Sequence, residues 1–333
     1  MKLLNGIGLG TFPFASPFTP VDGKTAGSIL DAYLNGGGRY IDTAPTYGLG
    51  KVEEQLGELL TKYPRDRFFI NTSCGHAREG DTLRLSGKYK DVIHECDESL
   101  RRLKLDYVDL YISHVPDPAT PFAETIHALK DLKRVGKAKR IGVSNVSLEQ
   151  LQEYNASGAV EFAQNRFSLI NQDLSAEFQA YCQAHNIGVV AYQVLDRGLL
   201  TEGVLKKIEM RSDDLRRRKP EFRENVVHEI RQWVGASLRP IAESAGVSIT
   251  TLVIWWALQQ PAIALCQCGA TSLEQVRHIL AASNFTGSLE LKTTIDNAYA
   301  TLESKIRNEH KSSVREFTGL ATYNVYAGSP TGK

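Results

Sequence analysis

Three residues in this sequence are suited to proton transfer, and each lies at or just beyond the end of a predicted strand. Asp42 and Tyr47 lie in the segment IDTAPTYG, and His114 lies in YISHVPDP. A phenol has a pKa of about 10, so Tyr47 becomes a useful acid only where positive charge or strong hydrogen bonding lowers that value. The combination of phenol, imidazole and carboxyl groups predicts an acid–base site.

Other polar residues at strand ends are suited to holding a ligand. Asn145 and Gln164 carry amide groups that can bind a carboxamide, and Tyr192 offers a ring face for stacking. Gly269 opens a predicted helix, where unpaired N–H groups and the helix dipole favour an anion such as phosphate. Singly, each of these residues has a structural explanation, such as packing or capping. Their joint placement at successive strand ends favours a functional site.

Eight short β-like runs alternate with amphipathic segments along the chain. The predicted strands span residues 7–12, 39–44, 68–73, 107–114, 138–145, 162–167, 187–194 and 262–269. This alternation predicts one α/β domain, residues 1–333, with the (β/α)8 TIM barrel fold, whose active site lies at the C-terminal ends of the strands. The alternative, a doubly wound sheet, would carry a G-x-G-x-x-G motif after its first strand, and this sequence has none there.

Two segments depart from the repeat. Residues 199–225 are longer and more polar than the other connections, which predicts a functional loop after the seventh strand. The tail, residues 311–333, is rich in Gly, Ser and Thr, and we expect it to lie over the barrel or to be mobile.

The composition favours a chain of the cytoplasm. With 39 basic and 38 acidic residues and no run of about 18 apolar residues, no nucleic-acid or membrane partner is expected. The five cysteines are odd in number and scattered, which fits reduced thiols better than a disulfide framework. Cys266 and Cys268 have no second Cys or His pair nearby, so no metal site is expected.

Segments throughout the chain resemble the aldo-keto reductase family and follow one another in that family's order. They read GLGTF, YIDTAPTYGLGKVEEQLGELL, ESLRRLKLDYVDLYISHVPDP, VGKAKRIGVSNVSLEQL, QNRFSLIN, GVVAYQVLDRGLL and GATSLEQV. The resemblance implies a barrel that holds a nicotinamide dinucleotide across its rim. Hydride would pass between the C4 atom of the nicotinamide and a small carbonyl or polyol substrate.

The family's functional residues can be matched to positions in this chain. Its catalytic positions fall on Asp42, Tyr47, Ser73 and His114, with Tyr47 as the general acid and His114 orienting the substrate. The resemblance places the nicotinamide against Ser144, Asn145, Gln164 and Tyr192, the pyrophosphate against Leu195, Arg197 and Gly198, and the adenosine half against Gly269, Thr271, Ser272 and Gln275.

The chain departs from the family at its adenosine end. Thr271 stands where many members carry Arg or Lys for the 2′-phosphate of NADPH, and Ile279 stands where they carry Asn. NADPH is the family's default cofactor, and these two changes leave NADH as an alternative. Ser272 or the cluster around Arg216 could replace the missing phosphate contact.

Ser73 is the second departure. The family's third strand ends in Thr-Lys, whereas here Thr72 is followed by Ser73. An ammonium group at about 4 Å would lower the pKa of a phenol by about one unit or more, and a serine hydroxyl cannot do so. Without that lysine, an unpaired Asp42 carboxylate would raise the pKa of Tyr47.

Three hypotheses follow from Ser73. In the first, the protein is an oxidoreductase whose acid–base work falls mainly on His114, which titrates near neutrality, with Tyr47 as a hydrogen-bond donor. Lys88, Lys90 or His76 could then supply the cation. In the second, the chain uses its nucleotide in a redox-neutral step, such as epimerisation or elimination through a transient ketone. In the third, it is a non-catalytic, nucleotide-binding regulatory protein.

The loop after the third strand bears on the substrate. His76, Arg78 and Arg84 are polar or cationic, which favours a hydroxylated or acidic small molecule such as a sugar. The sequence gives no indication of the oligomeric state.

Overall fold

The computed structural model describes residues 6–15, 21–80, 82–206 and 214–318, together with residues 208, 210 and 212. Within them the strands are β1 (Ile7–Gly10), β2 (Tyr40–Asp42), β3 (Phe69–Cys74), β4 (His76–Glu79), β5 (Thr82–Leu85), β6 (Val108–Ser113), β7 (Ala138–Ser144), β8 (Phe162–Arg166), β9 (Gly188–Tyr192) and β10 (Ile263–Gly269). Eight of these strands form a closed parallel barrel in the order β1, β2, β3, β6, β7, β8, β9 and β10, and β10 pairs with β1.

The helices surround this barrel. They are α1 (Gly23–Asn35), α2 (Lys51–Leu60), α3 (Tyr89–Leu103), α4 (Phe122–Arg134), α5 (Leu148–Tyr154), α6 (Ala176–Ala184), α7 (Glu224–Trp233), α8 (Arg239–Ser244), α9 (Ile249–Leu258), α10 (Leu273–Asn284), α11 (Leu289–His310) and α12 (Val314–Phe317). No single described helix is long and apolar enough to cross a membrane; the bent pair formed by residues 224–244 and 249–258 meets that test by length and composition only.

The predicted (β/α)8 barrel is confirmed, since each predicted strand overlaps one strand of the barrel. The antiparallel hairpin of β4 and β5 was not predicted. Its strands are largely solvent-accessible and its turn includes Gly80, whose φ is +61°. Because this hairpin contributes little to the core, it lacks the apolar pattern by which buried strands are recognised.

Local sequence signals explain where several helices begin and end. Ser147 accepts a hydrogen bond from the Gln150 backbone while the Gln150 side chain accepts one from Ser147, forming a capping box at the start of α5. Gly136, one residue beyond the C-cap of α4, has φ +84°, a left-handed conformation that glycine adopts without a steric penalty. These signals fix the loops that carry the site residues.

A cluster of apolar side chains from the barrel strands is fully or almost fully buried. They come from Tyr40, Leu110, Ile112, Phe162, Val190, Ala264 and Leu265. The rings of Tyr40 and Phe69 stack at a centroid distance of 5.3 Å. A Cβ atom at Gly8 would lie 2.7 Å from the Tyr40 ring, so only glycine fits there. This packing forms a rigid floor beneath the polar residues of the upper rim.

The two segments that depart from the repeat contain short helical elements. Residues 199–225 include 3-10 turns at Glu202–Leu205, Leu215–Arg218 and Pro220–Phe222. In the tail, α12 is anchored where the Arg223 guanidinium donates to the Phe317 carbonyl oxygen at 2.6 Å. Residues 319–333 of the predicted tail lie outside the described residues.

Candidate active site

The barrel register brings the predicted site residues to one end of the molecule. Asp42 ends β2, Ser144 ends β7, Tyr192 ends β9 and Gly269 ends β10, while His114 directly follows β6. All of these strands are parallel, so their C-terminal ends form a single rim. The structure therefore places the candidate residues around one opening.

Asp42 is held by side-chain amides from three other strands. Its Oδ1 accepts from Asn71 Nδ2 at 3.2 Å and from Gln164 Nε2 at 3.5 Å, and its Oδ2 accepts from Gln267 Nε2 at 2.6 Å. We call Asn71, Gln164 and Gln267 the amide cage. Asp42 is only 1% exposed, and burial raises its pKa to about 7 although the three amide hydrogen bonds act in the opposite direction.

The amide cage supplies hydrogen bonds to Asp42, but the carboxyl group lacks a cationic partner among the described residues, as the sequence led us to expect. No described cationic side chain forms an ion pair with it. Lys88 and Lys90, the predicted substitutes for the missing lysine, are exposed near the start of α3. Burial, followed by the charges of Asp42 and Tyr192, holds the pKa of Tyr47 well above its usual value.

Ser73 contacts the histidine of the site. Its Oγ lies 3.2 Å from His114 Nδ1, and Ser73 is only 2% exposed. Burial, with a smaller effect of His76, lowers the pKa of His114 to about 3, and burial lowers the pKa of His76 to about 4. The expectation that His114 titrates near neutrality is therefore wrong for this structure. At neutral pH both rings are neutral, so His76 supplies no cation either.

The turn after Ser73 is fixed from outside the barrel. Gly75 N and His76 N donate to the two carboxylate oxygens of Glu95 in α3 at 2.8 and 3.0 Å. Gly75 has φ +113°, which favours glycine. The His76 and His114 rings meet edge-on at 5.6 Å, and the Tyr47 and His114 ring centroids are 6.4 Å apart. This turn thus orders the imidazoles beside the phenol.

The four residues matched to the nicotinamide are connected by hydrogen bonds. Tyr192 donates its hydroxyl to Asn145 Oδ1 at 2.5 Å, and Asn145 Nδ2 donates to Ser144 Oγ and to the His114 carbonyl oxygen at 2.9 and 2.8 Å. Ser144 in turn donates to the Gln164 carbonyl oxygen at 2.7 Å. The structure therefore brings these residues together beside Asp42.

The residues matched to the pyrophosphate lie in a strained turn after β9. Gln193, Asp196 and Arg197 have φ values of +54°, +41° and +53°, and non-glycine residues adopt this region at a cost in free energy. The turn also contains Leu195 and Gly198. Such strain persists only where the surroundings fix it, and it is common in ligand-binding turns.

Two buried carboxyl groups hold this turn. Arg197 forms an ion pair with Glu221, which is fully buried in the segment after β9. Asp196 accepts a hydrogen bond from Ser168, and burial raises the pKa of Asp196 to about 7. Residues 220–222 are thereby tied to the turn that is matched to the pyrophosphate.

The residues matched to the adenosine half form contacts with one another. Gln275 Oε1 accepts from Thr271 N at 2.7 Å and from Thr271 Oγ1 at 3.1 Å, and Ser272 caps α10. Arg216 is engaged by Asp214 Oδ2 at 2.6 Å, so its charge is already balanced. Gly269 is exposed beside this cap.

Residues not predicted from the sequence complete the site. They are Asn71 and Gln267 in the amide cage, Glu95 behind the histidine turn, and Glu221 against Arg197. Asn71 and Gln267 interrupt the apolar runs FFINTSC and AIALCQCG. Both are polar residues inside strands that are buried on both faces, and this pattern in the sequence could have identified them.

The chain shares sequence and structure with known proteins. The Aldo/keto reductase family model matches residues 6–300. The aldo-keto reductase YhdN of Bacillus subtilis is 32% identical over 283 residues, 84% of this chain and 85% of that protein. The NADH-specific methylglyoxal reductase of Escherichia coli is 34% identical over 274 residues, 77% of this chain and 82% of that protein.

A solved structure shares the same fold at lower identity. The glycerol dehydrogenase from Gluconobacter oxydans aligns with a TM-score of 0.79 and 27% identity, over 89% of this chain and 91% of that one. The chain therefore belongs to the aldo-keto reductase family and is an NAD(P)-dependent oxidoreductase of small carbonyl substrates.

Proposed function

We propose that this protein reduces a small hydroxylated carbonyl compound with a nicotinamide dinucleotide, and that its site works without a lysine ammonium group. A bound nicotinamide would supply the hydride for the carbonyl carbon, and the Tyr47 hydroxyl would give its proton to the carbonyl oxygen. Solvent returns that proton, so carbonyl, reduced cofactor and one proton give alcohol and oxidised cofactor. The reverse reaction would oxidise a polyol.

The observation that carries this proposal is the contact between Ser73 Oγ and His114 Nδ1 at 3.2 Å. When Ser73 donates to Nδ1, the ring proton lies on Nε2, which can donate to the substrate oxygen. The low pKa of His114 keeps the imidazole neutral, so it acts as a hydrogen-bond donor that polarises the carbonyl group rather than as a cationic acid. The final proton then comes from Tyr47.

The contacts of the rim support a role in binding for the other matched residues. Ser144, Asn145, Gln164 and Tyr192 lie together in one connected group where the nicotinamide would bind. For the rest of the dinucleotide we propose two further groups: Leu195, Arg197 and Gly198 at the pyrophosphate, and Gly269, Thr271, Ser272 and Gln275 at the adenosine.

We propose that NADH is used alongside NADPH. Thr271 carries no charge for a 2′-phosphate, and Arg216 is paired with Asp214. The related enzyme from Escherichia coli is named as NADH-specific.

For the substrate, the proposal rests on the polar hairpin of β4 and β5, together with the glycerol dehydrogenase named among the similar structures.

All five cysteines are buried and unpaired, which supports the cytoplasm as the location.

The first experiment measures cofactor binding by nicotinamide fluorescence and then turnover with a panel of aldehydes, ketones and polyols. Saturable binding, turnover at 340 nm and its loss in Tyr47→Phe are expected. The control is Tyr63→Phe, which removes a hydroxyl bound to Asp31 away from the rim. Cofactor binding without any change in nicotinamide absorbance would contradict the proposal and favour a redox-neutral or regulatory role.

Ser73→Lys tests whether the site is otherwise an intact reductase. An ammonium group beside Asp42 and Tyr47 is expected to raise carbonyl reduction by about tenfold or more, because it lowers the pKa of the phenol. Ser283→Lys is the control, since Ser283 lies in α10 and bonds only to the Leu280 carbonyl oxygen. No increase in a folded Ser73→Lys variant that still binds cofactor would mean that the pocket performs another reaction.

A further inference from the structure

The amide cage has an unusual electrostatic character. Its three donors come from β3, β8 and β10 and reach both oxygens of Asp42, yet none of them carries a net charge. Asn71 Nδ2 also donates to Gln164 Oε1 at 3.2 Å, so two members of the cage brace each other. Asn71 is fully buried and Gln267 is 8% exposed. The carboxyl group is therefore fixed in place without a neighbouring cation.

The other titratable groups around Asp42 do not supply charge at neutral pH. On its own segment it faces Tyr40 and Tyr47, and the pKa of each is raised well above its usual value, first by burial. Across the rim, Tyr192 ends β9, and His114, which follows β6, is neutral. In the described part of the chain, Asp42 therefore loses or gains its proton with only neutral partners close by.

We propose that Asn71 and Gln267 are positioning residues that take the place of the lysine, holding Asp42 with neutral donors so that its proton, rather than a fixed ammonium, sets the acidity of Tyr47. This inference rests on the proposed reduction. When Asp42 takes up a proton from solvent, its negative charge no longer opposes formation of the Tyr47 phenolate. Tyr47 then gives its proton to the carbonyl oxygen more readily. When Asp42 is ionised, the same transfer is slower.

The direction of the pH effect follows from this arrangement. Burial raises the pKa of Asp42 to about 7, so the neutral carboxyl predominates below that pH and the carboxylate predominates above it. Reduction should therefore slow by about tenfold as pH rises through this value, because a nearby like charge raises the pKa of a phenol by about one unit or more. Removing an amide donor should move the midpoint upward, because the amides favour the ionised form.

The deciding experiment follows the Asp42 carboxyl group directly. Protein labelled with ¹³C at the aspartate carboxyl carbons is titrated by NMR without cofactor or substrate, and Asp42→Asn identifies the resonance. A midpoint near neutrality that rises in Gln267→Leu and in Asn71→Leu supports the proposal. Gln179→Leu is the control, since Gln179 lies in α6 and its side-chain amide donates to the Leu174 carbonyl oxygen. An unchanged midpoint in folded Gln267→Leu and Asn71→Leu proteins would overturn it.

The second measurement is the pH profile of single-turnover hydride transfer in the same proteins. We expect the step near neutrality to move upward in Gln267→Leu and to disappear in Asp42→Asn. A purely structural role would lower the rate at every pH and leave the midpoint in place, which would contradict the proposal. If the wild-type protein transfers no hydride, the proposed reduction fails, whereas the NMR titration still decides whether the amide cage controls Asp42.

Discussion

Ser73 Oγ lies within hydrogen-bond distance of His114 Nδ1, at 3.2 Å. The resemblance to the family places this serine where other members carry a lysine, and here its side chain contacts the imidazole while the amide cage holds Asp42. No described group lowers the pKa of Tyr47, which burial and the charge of Asp42 keep well above its usual value. The following predictions test the parts of that arrangement.

Ser73→Ala removes the contact that orients His114. Loss of one neutral hydrogen bond is expected to lower kcat for carbonyl reduction by about three- to tenfold, because such a bond contributes about 0.5–1.5 kcal/mol. Ser73→Thr keeps a hydroxyl group and should retain most of the activity. The measurement is steady-state turnover with cofactor binding determined separately, and equal activity in the Ala and Thr variants would count against an orienting role.

Thr271→Arg should change the cofactor preference. A guanidinium at this position can bind the 2′-phosphate through charge-assisted hydrogen bonds, so the Kd for NADPH is expected to fall by about tenfold while that for NADH stays nearly constant. Fluorescence titration with each cofactor measures both values. Thr293→Arg, in α11, adds the same charge elsewhere, and a similar gain in that variant would show a nonspecific effect of charge.

Glu221→Gln removes the carboxylate that forms an ion pair with Arg197. The glutamate is fully buried and forms an ion pair with Arg197. If Arg197 binds the cofactor pyrophosphate as proposed, the pyrophosphate has to compete with Glu221. We expect the Kd for NADPH to fall by about threefold or more, because a neutral glutamine neither repels the pyrophosphate nor balances the arginine. Glu202→Gln, which alters the contact with Thr250, is the control. Weaker cofactor binding would contradict this role of Glu221.

Asp196→Asn should alter how stability depends on pH. Burial raises the pKa of Asp196 to about 7 in the folded protein, against about 4 when unfolded. Between these values the folded state binds more protons than the unfolded state, so this group lowers the free energy of unfolding as pH rises. In Asp196→Asn the side chain does not titrate, so this decrease in the free energy of unfolding with rising pH is absent.

Guanidinium unfolding at pH 5 and pH 8 measures the effect. The stability of Asp196→Asn relative to wild type should increase from pH 5 to pH 8. The polar groups that surround Asp196 are Arg166, Arg197, Glu221 and Ser168. Asp106→Asn, at an exposed position, is the control and should show no such trend. A constant difference between Asp196→Asn and wild type would mean that Asp196 does not titrate in this range.

The sequence allowed the barrel and the rim to be predicted because alternating strands and helices determine which residues meet at the C-terminal edge. It did not reveal the amide cage. Asn71 and Gln267 lie on strands that are buried on both faces, and only the register shows that both point toward Asp42. The neutral state of His114 was also missed, because its pKa depends on burial, which residue type and spacing do not specify.

Glu95 has a consequence for how the chemistry of this fold can diverge. The Glu95 carboxylate, in α3, accepts hydrogen bonds from the backbone N–H groups of Gly75 and His76. These bonds fix the end of β3 without involving the side chain at position 73. Position 73 can therefore exchange an ammonium for a hydroxyl without remodelling the main chain around it.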